Sequence, residues 1–279
     1  MSTLKLTVDS LNVRFVNGKK ETHAVRDVSF TLGREKLAIV GESGSGKSTV
    51  GRSLLKLHPG STQITAKALQ FGDVDLLSAS EKAMQKIRGQ RISMIMQDPK
   101  YSLNPVVKVG EQIAEAYLAH HKASRSEARE RVLLMLEKVH IRDPGRVYNL
   151  YPHEVSCGMR QRIMIAMMVI TNPEVIIADE PTSALDVSVR QQVLNVLEEL
   201  VVEQQMGLIF VSHDLNLVRN YCDRVLVMYA GRVVESLAAC DLQYAEHPYT
   251  RGLLAALPSM DNRRPRLPVL QRDPLWLTC

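Results

Sequence analysis

Residues Gly41, Glu42, Ser43, Gly44, Ser45, Gly46, Lys47, Ser48 and Thr49 fit the spacing G-x-x-x-x-G-K-[ST]. A loop that wraps a polyphosphate needs inward-facing backbone N–H groups and small residues where the chain turns, which Gly41, Gly44 and Gly46 supply. Lys47 adds a point charge for the outer phosphates and Ser48 a hydroxyl for Mg2+. A helix opening near Gly46 aims its positive end at the same anion. The expected ligand is Mg-ATP.

Further polar residues stand where apolar runs end. Gln97 follows the run Ile92 to Met96; its amide oxygen can bind Mg2+ or the attacking water. Asp179 and Glu180 close the run from Val175 to Ala178. Asp179 suits the Mg2+ shell, and Glu180 can position and activate a water against the γ-phosphate. His213 closes the run around Leu208 to Val211, where a donor to the γ-phosphate is useful. Taken singly, a glutamine in a loop, a charged turn or a lone histidine is more often structural. Ser156-Cys157-Gly158-Met159 opens an apolar helix, Ile163 to Ile170, and offers N–H groups to an anion without a lysine of its own. That combination suits a nucleotide held elsewhere, for example on a partner molecule. Phe15 has two open readings, stacking on adenine and ordinary core packing.

The elements that must carry these residues alternate between strand and helix. LKLTV, LNVRF and AVRDVSFTL alternate apolar and polar residues about a turn at VNGKK, so the first forty residues read as strands. The helix after the phosphate loop is expected to continue through Leu57 and stop at His58-Pro59-Gly60. Ser124 to Glu127 has capping-box spacing, with Ala128, Val132, Met135, Leu136 and Val139 as an apolar stripe. Asp186, at the end of Ser183 to Asp186, begins a helix whose Val193, Leu197, Leu200 and Val201 face inward. The run Val225 to Met228 is a further strand, turned at Gly231.

The 279 residues make one large or two small domains, and the formal charge of +5 is modest and dispersed apart from Arg263, Arg264 and Arg266. Four cysteines, Cys157, Cys222, Cys240 and Cys279, form no C-x-x-C pair, which indicates a reducing cytosol and no metal site. No stretch has a signal-peptide pattern or enough apolar residues to span a bilayer, so a membrane role is expected to be peripheral.

Together these motifs resemble an ATP-binding-cassette nucleotide-binding subunit over essentially the whole chain. On that resemblance, Gly41 to Ser48 is the Walker A loop, Gln97 the Q-loop glutamine and Ser156 to Met159 the signature. Val175 to Asp179 is the Walker B strand with Glu180 catalytic, Ser183 to Asp186 the D-loop, and His213 the switch histidine. QDPKYSLNP, the YPHE lead-in, MYAGRVVE and HPYTRGLL resemble the oligopeptide, dipeptide and nickel import branch. The implied fold is α/β, a P-loop NTPase (RecA-like) core with an N-terminal antiparallel β subdomain and an inserted helical subdomain at about 98–165. The cassette would span 1–245 and a truncated importer-branch extension 246–279.

The resemblance also implies two cassettes closing head to tail, with ATP between the Walker A loop of one and the signature of the other. Phe15 then stacks on adenine, and Ser156, Gly158 and Asp186 face nucleotide. Partners are two transmembrane permeases, a second cassette, and an extracytoplasmic solute-binding protein, at the cytoplasmic face of the inner membrane. No nucleic acid is expected. Residues Gln97 to Pro105 and the helix from Ser124 are expected to form the permease-facing lobe, so that changes at Tyr101 or Leu103 uncouple transport from hydrolysis without affecting ATP affinity.

Two features depart from the family pattern. Cys157 stands where the signature has its first glycine and Val155 where leucine is usual; the cysteine is expected to restrict φ and crowd the anion. The cysteine-rich ending of peptide-branch relatives is missing, so no iron–sulfur cluster is expected. Rival readings are a soluble cassette acting on nucleic acid and a mainly ATP-binding subunit of an asymmetric pair.

Overall fold

The structure is a computed structural model that describes residues 5–18, 20–98, 102–183, 185–257, 273 and 276. Tyr101, Ala184, Arg263, Arg264, Arg266 and Cys279 lie outside the described residues, as does nearly all of the extension after 257. The chain divides into two compact units, Met1–Ser78 with Ile209–Cys279, and Ala79–Leu208.

The first unit opens on two long antiparallel strands, β1 (Leu6–Asn17) and β2 (Lys20–Leu32). The alternating stretches from Leu6 to Val8 and from Leu11 to Phe15 belong to one strand because a bulge at Ser10, with φ 53°, keeps Leu6, Val8, Leu11 and Val13 all inward. A matching irregularity at Asp27, φ 53°, restores the pairing on β2. Strand β3 (Lys36–Val40) follows, then α1 (Lys47–Leu54). Strands β4 (Thr62–Thr65), β5 (Ala68–Phe71) and β6 (Val74–Asp75) complete an antiparallel sheet in the order β2-β1-β5-β6, with β4 also on β1.

Helix α1 ends three residues earlier than the sequence suggests. Lys56 takes a left-handed conformation, φ 50°, while Leu57 N–H donates to Arg52 O at 2.9 Å and Lys56 N–H to Ser53 O at 3.1 Å. This Schellman closure is hidden from sequence because lysine, not glycine, occupies the left-handed position.

The second unit begins with α2 (Glu81–Gln85) and β7 (Ile92–Ile95), and continues with α3 (Val109–Leu118), α4 (Arg125–Lys138) and α5 (Pro144–Tyr148). Helix α6 (Cys157–Val169), strand β8 (Val175–Asp179) and helix α7 (Val187–Glu203) complete it. Strands β7 and β8 pair in parallel, Ile92 beside Val175 and Ile95 beside Ala178, and are buried throughout, as continuous apolar runs should be. Ser124 Oγ caps α4 by accepting from Glu127 N–H at 3.1 Å, and the stripe from Ala128 to Val139 is buried. Leu103 is only 4% exposed and belongs to the core, whereas the apolar side chain of Val106 nearby is 77% accessible.

The first unit then resumes with β9 (Gly207–Ser212), α8 (Leu215–Tyr221), β10 (Arg224–Tyr229), β11 (Arg232–Ala238) and α9 (Pro248–Ala255). Its second sheet runs β11-β10-β3-β9, with β3 and β10 parallel and Val40 beside Val227. Ala230 and Gly231, φ 47° and 89°, turn β10 into β11 as a two-residue hairpin. No helix among the described residues is long and apolar enough to cross a membrane.

Candidate functional site

In the first unit, β3 is fully buried from Leu37 to Val40, and the chain leaves it directly into the glycine loop that opens α1. Gly41, Gly44 and Gly46 all have positive φ, as a loop that turns its amides inward requires. At Gly41 the need is doubled: a Cβ there would lie 2.2 Å from the carbonyl oxygen of Met228, at the end of the neighbouring β10.

Lys47 is 5% exposed, and its Nζ donates to Gly41 O at 2.7 Å and Glu42 O at 2.8 Å. An ammonium held against loop carbonyls inside its own glycine cradle is well placed to serve a phosphate there. Ser45 Oγ is buried with no hydrogen-bond partner, and the first-turn Ser48 and Thr49 are half-buried on α1. A buried orphan hydroxyl, a buried cation and a helix N-terminus fit a polyphosphate.

Phe15 is half-exposed on β1 and not a core residue. Its ring meets His58 edge to face, with centroids 5.5 Å apart at 80°. His58 Nε2 in turn lies 3.0 Å from Ser53 Oγ and 3.3 Å from Thr49 O, so the aromatic is tied to α1. Burial pulls the His58 pKa below its ordinary value, which favours the neutral ring. His213 is exposed just beyond the buried end of β9, and Asp214 after it caps α8 by accepting from Leu217 N–H at 3.1 Å.

In the second unit the parallel register of β7 and β8 brings two expected residues side by side. Gln97 Nε2 donates to Glu180 Oε2 at 3.4 Å. Asp179 is 2% exposed at the end of β8, whereas Glu180 turns away from the strand in a left-handed conformation, φ 47°. That turn is held by Ser183, whose N–H and Oγ both donate to Glu180 O, and by Gln161 Nε2 donating to Pro181 O.

Ser156 caps α6, its Oγ accepting from Met159 N–H at 3.3 Å. Cys157 is exposed at the first helical position and lacks a positive φ, which removes the backbone half of the objection to cysteine there. Gly158 lies where a Cβ would stand 2.5 Å from Val189 Cγ1 on α7. Val189 N–H donates to Asp186 Oδ1 at 2.9 Å, and that bond leads the contributions holding the Asp186 carboxyl below its usual range. Ser156, Gly158 and Asp186 thus belong to one small assembly of two helix starts. Two residues that sequence reasoning did not assign to a site also appear: His58 behind Phe15, and Tyr249, whose hydroxyl reaches Glu42. Neither contact carries a spacing signal.

Comparison with known proteins decides the family. The ABC transporter family model matches residues 25–183. The chain is 46% identical, over 92% of its length and 77% of the relative's, to the dipeptide transport ATP-binding protein DppD of Bacillus subtilis. It belongs to the ABC transporter family. It is also 45% identical to the oligopeptide transport ATP-binding protein OppD of Bacillus subtilis, over 93% of this chain and 74% of that one. Among solved structures it resembles the ATP-binding cassette MJ0796, a dimer in a post-hydrolysis state bound to ADP and Pi. That match has 25% identity and a TM-score of 0.72, and covers 84% of this chain and 98% of that one. It resembles cbiO1 of Clostridium perfringens, part of a transporter complex, at 28% identity and a TM-score of 0.70, over 86% of this chain and 90% of the other. The fold is accordingly the α/β P-loop cassette, and the chain is an ATP-binding ATPase subunit.

Proposed function

We propose that this ABC ATPase powers a bacterial importer of peptides or a related small solute such as nickel. It works with a second cassette on two permeases at the cytoplasmic face of the inner membrane, supplied by an extracytoplasmic solute-binding protein. The observation that carries the catalytic part is the pairing at the ends of β7 and β8. Two buried parallel strands deliver Gln97 beside Glu180, 3.4 Å apart, next to a buried Asp179. A carboxylate held on a braced turn has the position of a general base for water, and the amide beside it has the position of a sensor. The identities to dipeptide and oligopeptide transport subunits support a peptide cargo.

Within this reading Gly41 to Thr49 hold the phosphates, and Phe15 receives the adenine face. His213 serves the γ-phosphate. Ser156 and Gly158, with Asp186, face the nucleotide of the paired cassette. Mg2+, when bound, supplies positive charge beside the phosphate oxygens, and Ser48, Gln97 and Asp179 carry oxygen donors suited to it.

Glu180→Gln keeps the side-chain shape but cannot take a proton, so it will bind Mg-ATP as the native chain does while turnover falls by about 10²–10⁴. Lys47→Ala will weaken binding itself. Equilibrium nucleotide titration and phosphate release, measured on the complex with its permeases, separate the two. Glu180→Gln turnover within a few-fold of native would remove Glu180 from the base role, and peptide uptake that persists without ATP would remove the coupling.

A further inference from the structure

The motif His247-Pro248-Tyr249 has no part in the catalytic reading, yet its tyrosine ends at the phosphate loop. Tyr249 is fully buried, and its hydroxyl accepts a hydrogen bond from Glu42 N–H at 3.0 Å across 207 residues of chain. Glu42 N–H and Gly41 C=O belong to the same peptide unit. The carbonyl end of that unit receives Lys47 Nζ at 2.7 Å. One peptide is therefore gripped at both ends, by the loop's lysine on one side and by Tyr249 on the other.

The rest of the segment is built to deliver that hydroxyl. Glu235 Oε1, on β11, accepts from the backbone N–H of Glu246 at 2.7 Å and of His247 at 3.2 Å. His247 Nδ1 caps α9 by accepting from Tyr249 N–H at 3.1 Å, and Pro248 takes the first helical turn, where its missing N–H costs nothing. The Tyr249 ring packs on Tyr229 at 4.6 Å between centroids and on Trp276 at 6.0 Å. Tyr229 follows Met228, whose carbonyl oxygen fills the space beside Gly41. The Gly41–Glu42 peptide thus has a carbonyl wall against it as well as a grip at each end.

We propose that Tyr249 is a positioning residue of the nucleotide site, holding the Gly41–Glu42 peptide so that its carbonyl faces Lys47 and the loop is already shaped for polyphosphate. This rests on the reading of Gly41 to Thr49 as the phosphate loop. An amide N–H that donates outward to a tyrosine is withdrawn from the phosphate, so its role is to fix the loop and not to bind the ligand. Without the grip the peptide can rotate, and ATP binding must then reorder it at its own expense. The segment that marks this branch of the family thereby sets the affinity of a site far from it in sequence.

The test compares the native chain with Tyr249→Phe, which keeps the ring and removes the hydroxyl that accepts from Glu42 N–H. Binding of ATP, ADP and adenosine is titrated on both, and hydrogen exchange at the Glu42 amide is followed without ligand. The expected result is a rise of about tenfold in Kd for ATP and ADP, with adenosine unchanged and the Glu42 amide losing its protection; tenfold corresponds to about 1.4 kcal/mol, the scale of one buried hydrogen bond. A merely structural role would weaken adenosine equally, and that outcome overturns the proposal. So does an unchanged Kd for ATP. If Tyr249→Phe does not fold, the native chain still decides, because a Glu42 amide that exchanges as fast as an open loop excludes the grip. A native chain that does not bind ATP at all would refute the phosphate-loop reading instead.

Discussion

Gly158, read from sequence as facing the nucleotide of a paired cassette, has a reason for being glycine inside the chain itself. A Cβ at 158 would stand 2.5 Å from Val189 Cγ1, whereas carbon atoms pack best about 3.5–4.0 Å apart, so Gly158→Ala must move something by about 1 Å. Neither helix can yield freely. Asp186 caps α7 through the Val189 N–H itself, and Ser156 caps α6 two residues before Gly158. Valine in a helix has one strongly preferred χ1, and turning Cγ1 away costs about 0.5–1.5 kcal/mol. With overpacking of about 1–3 kcal/mol and an alanine helix gain of about 0.8–1 kcal/mol against it, Gly158→Ala should destabilise the unit by about 1–2 kcal/mol. Val189→Ala, at a half-buried position, removes the obstacle. The pair Gly158→Ala/Val189→Ala should therefore be more stable than the sum of the single changes predicts, with a coupling of at least about 1 kcal/mol. Denaturant titration of all four proteins measures this. Additive costs would show that the contact is not what excludes a side chain at 158, and ATPase assays on the double variant then ask whether phosphate also requires the glycine.

Cys157→Gly alters an exposed side chain at the first position of α6, so stability should change by less than about 0.5 kcal/mol, while hydrolysis by a self-paired assembly rises if the thiol crowds the anion. Equal ATPase rates for native and variant, alone and with a second cassette, would show that the cysteine is accommodated. The Asp186 carboxyl is held below the ordinary value of about 3.9 by the Val189 N–H first and the Ser188 hydroxyl next. Its contribution is present above that value and is lost as pH falls through the lowered folded-state pKa. The start of α7 should accordingly keep its cap through mildly acid conditions and fray only in strong acid, whereas Asp186→Asn, an equally good cap, should remove that acid sensitivity; amide exchange at Val189 against pH reads both.

The sequence was legible where function depends on a short stretch of backbone. The phosphate loop, the buried strands ending at Asp179 and just before His213, and the caps at Ser124, Ser156 and Asp186 need only neighbouring residues of the right type. What escaped were features set by distant partners. Leu103 is surrounded by core although its neighbours are polar, Lys56 adopts a left-handed conformation usually given to glycine, and Gly158 answers to a valine on the next helix. Tyr249 is the extreme case, since nothing within 200 residues of it in sequence says that its hydroxyl meets Glu42.

Every expected site residue that follows a strand does so where a fully buried apolar run stops, so the chain must turn at once or carry polar groups into the interior. After β3 the turn is made by Gly41, which tolerates φ 149°. After β8 it is made by Glu180 at φ 47°, a left-handed conformation that costs a residue with a Cβ about 1–2 kcal/mol. Glycine would relieve that strain, and Ser183 and Gln161 already brace the turn through backbone oxygens that glycine would also present. The bracing of the backbone thus does not itself require a side chain at 180, and the carboxylate kept there reaches Gln97. A position where backbone geometry favours glycine and the chain keeps glutamate is the pattern expected when stability yields to chemistry.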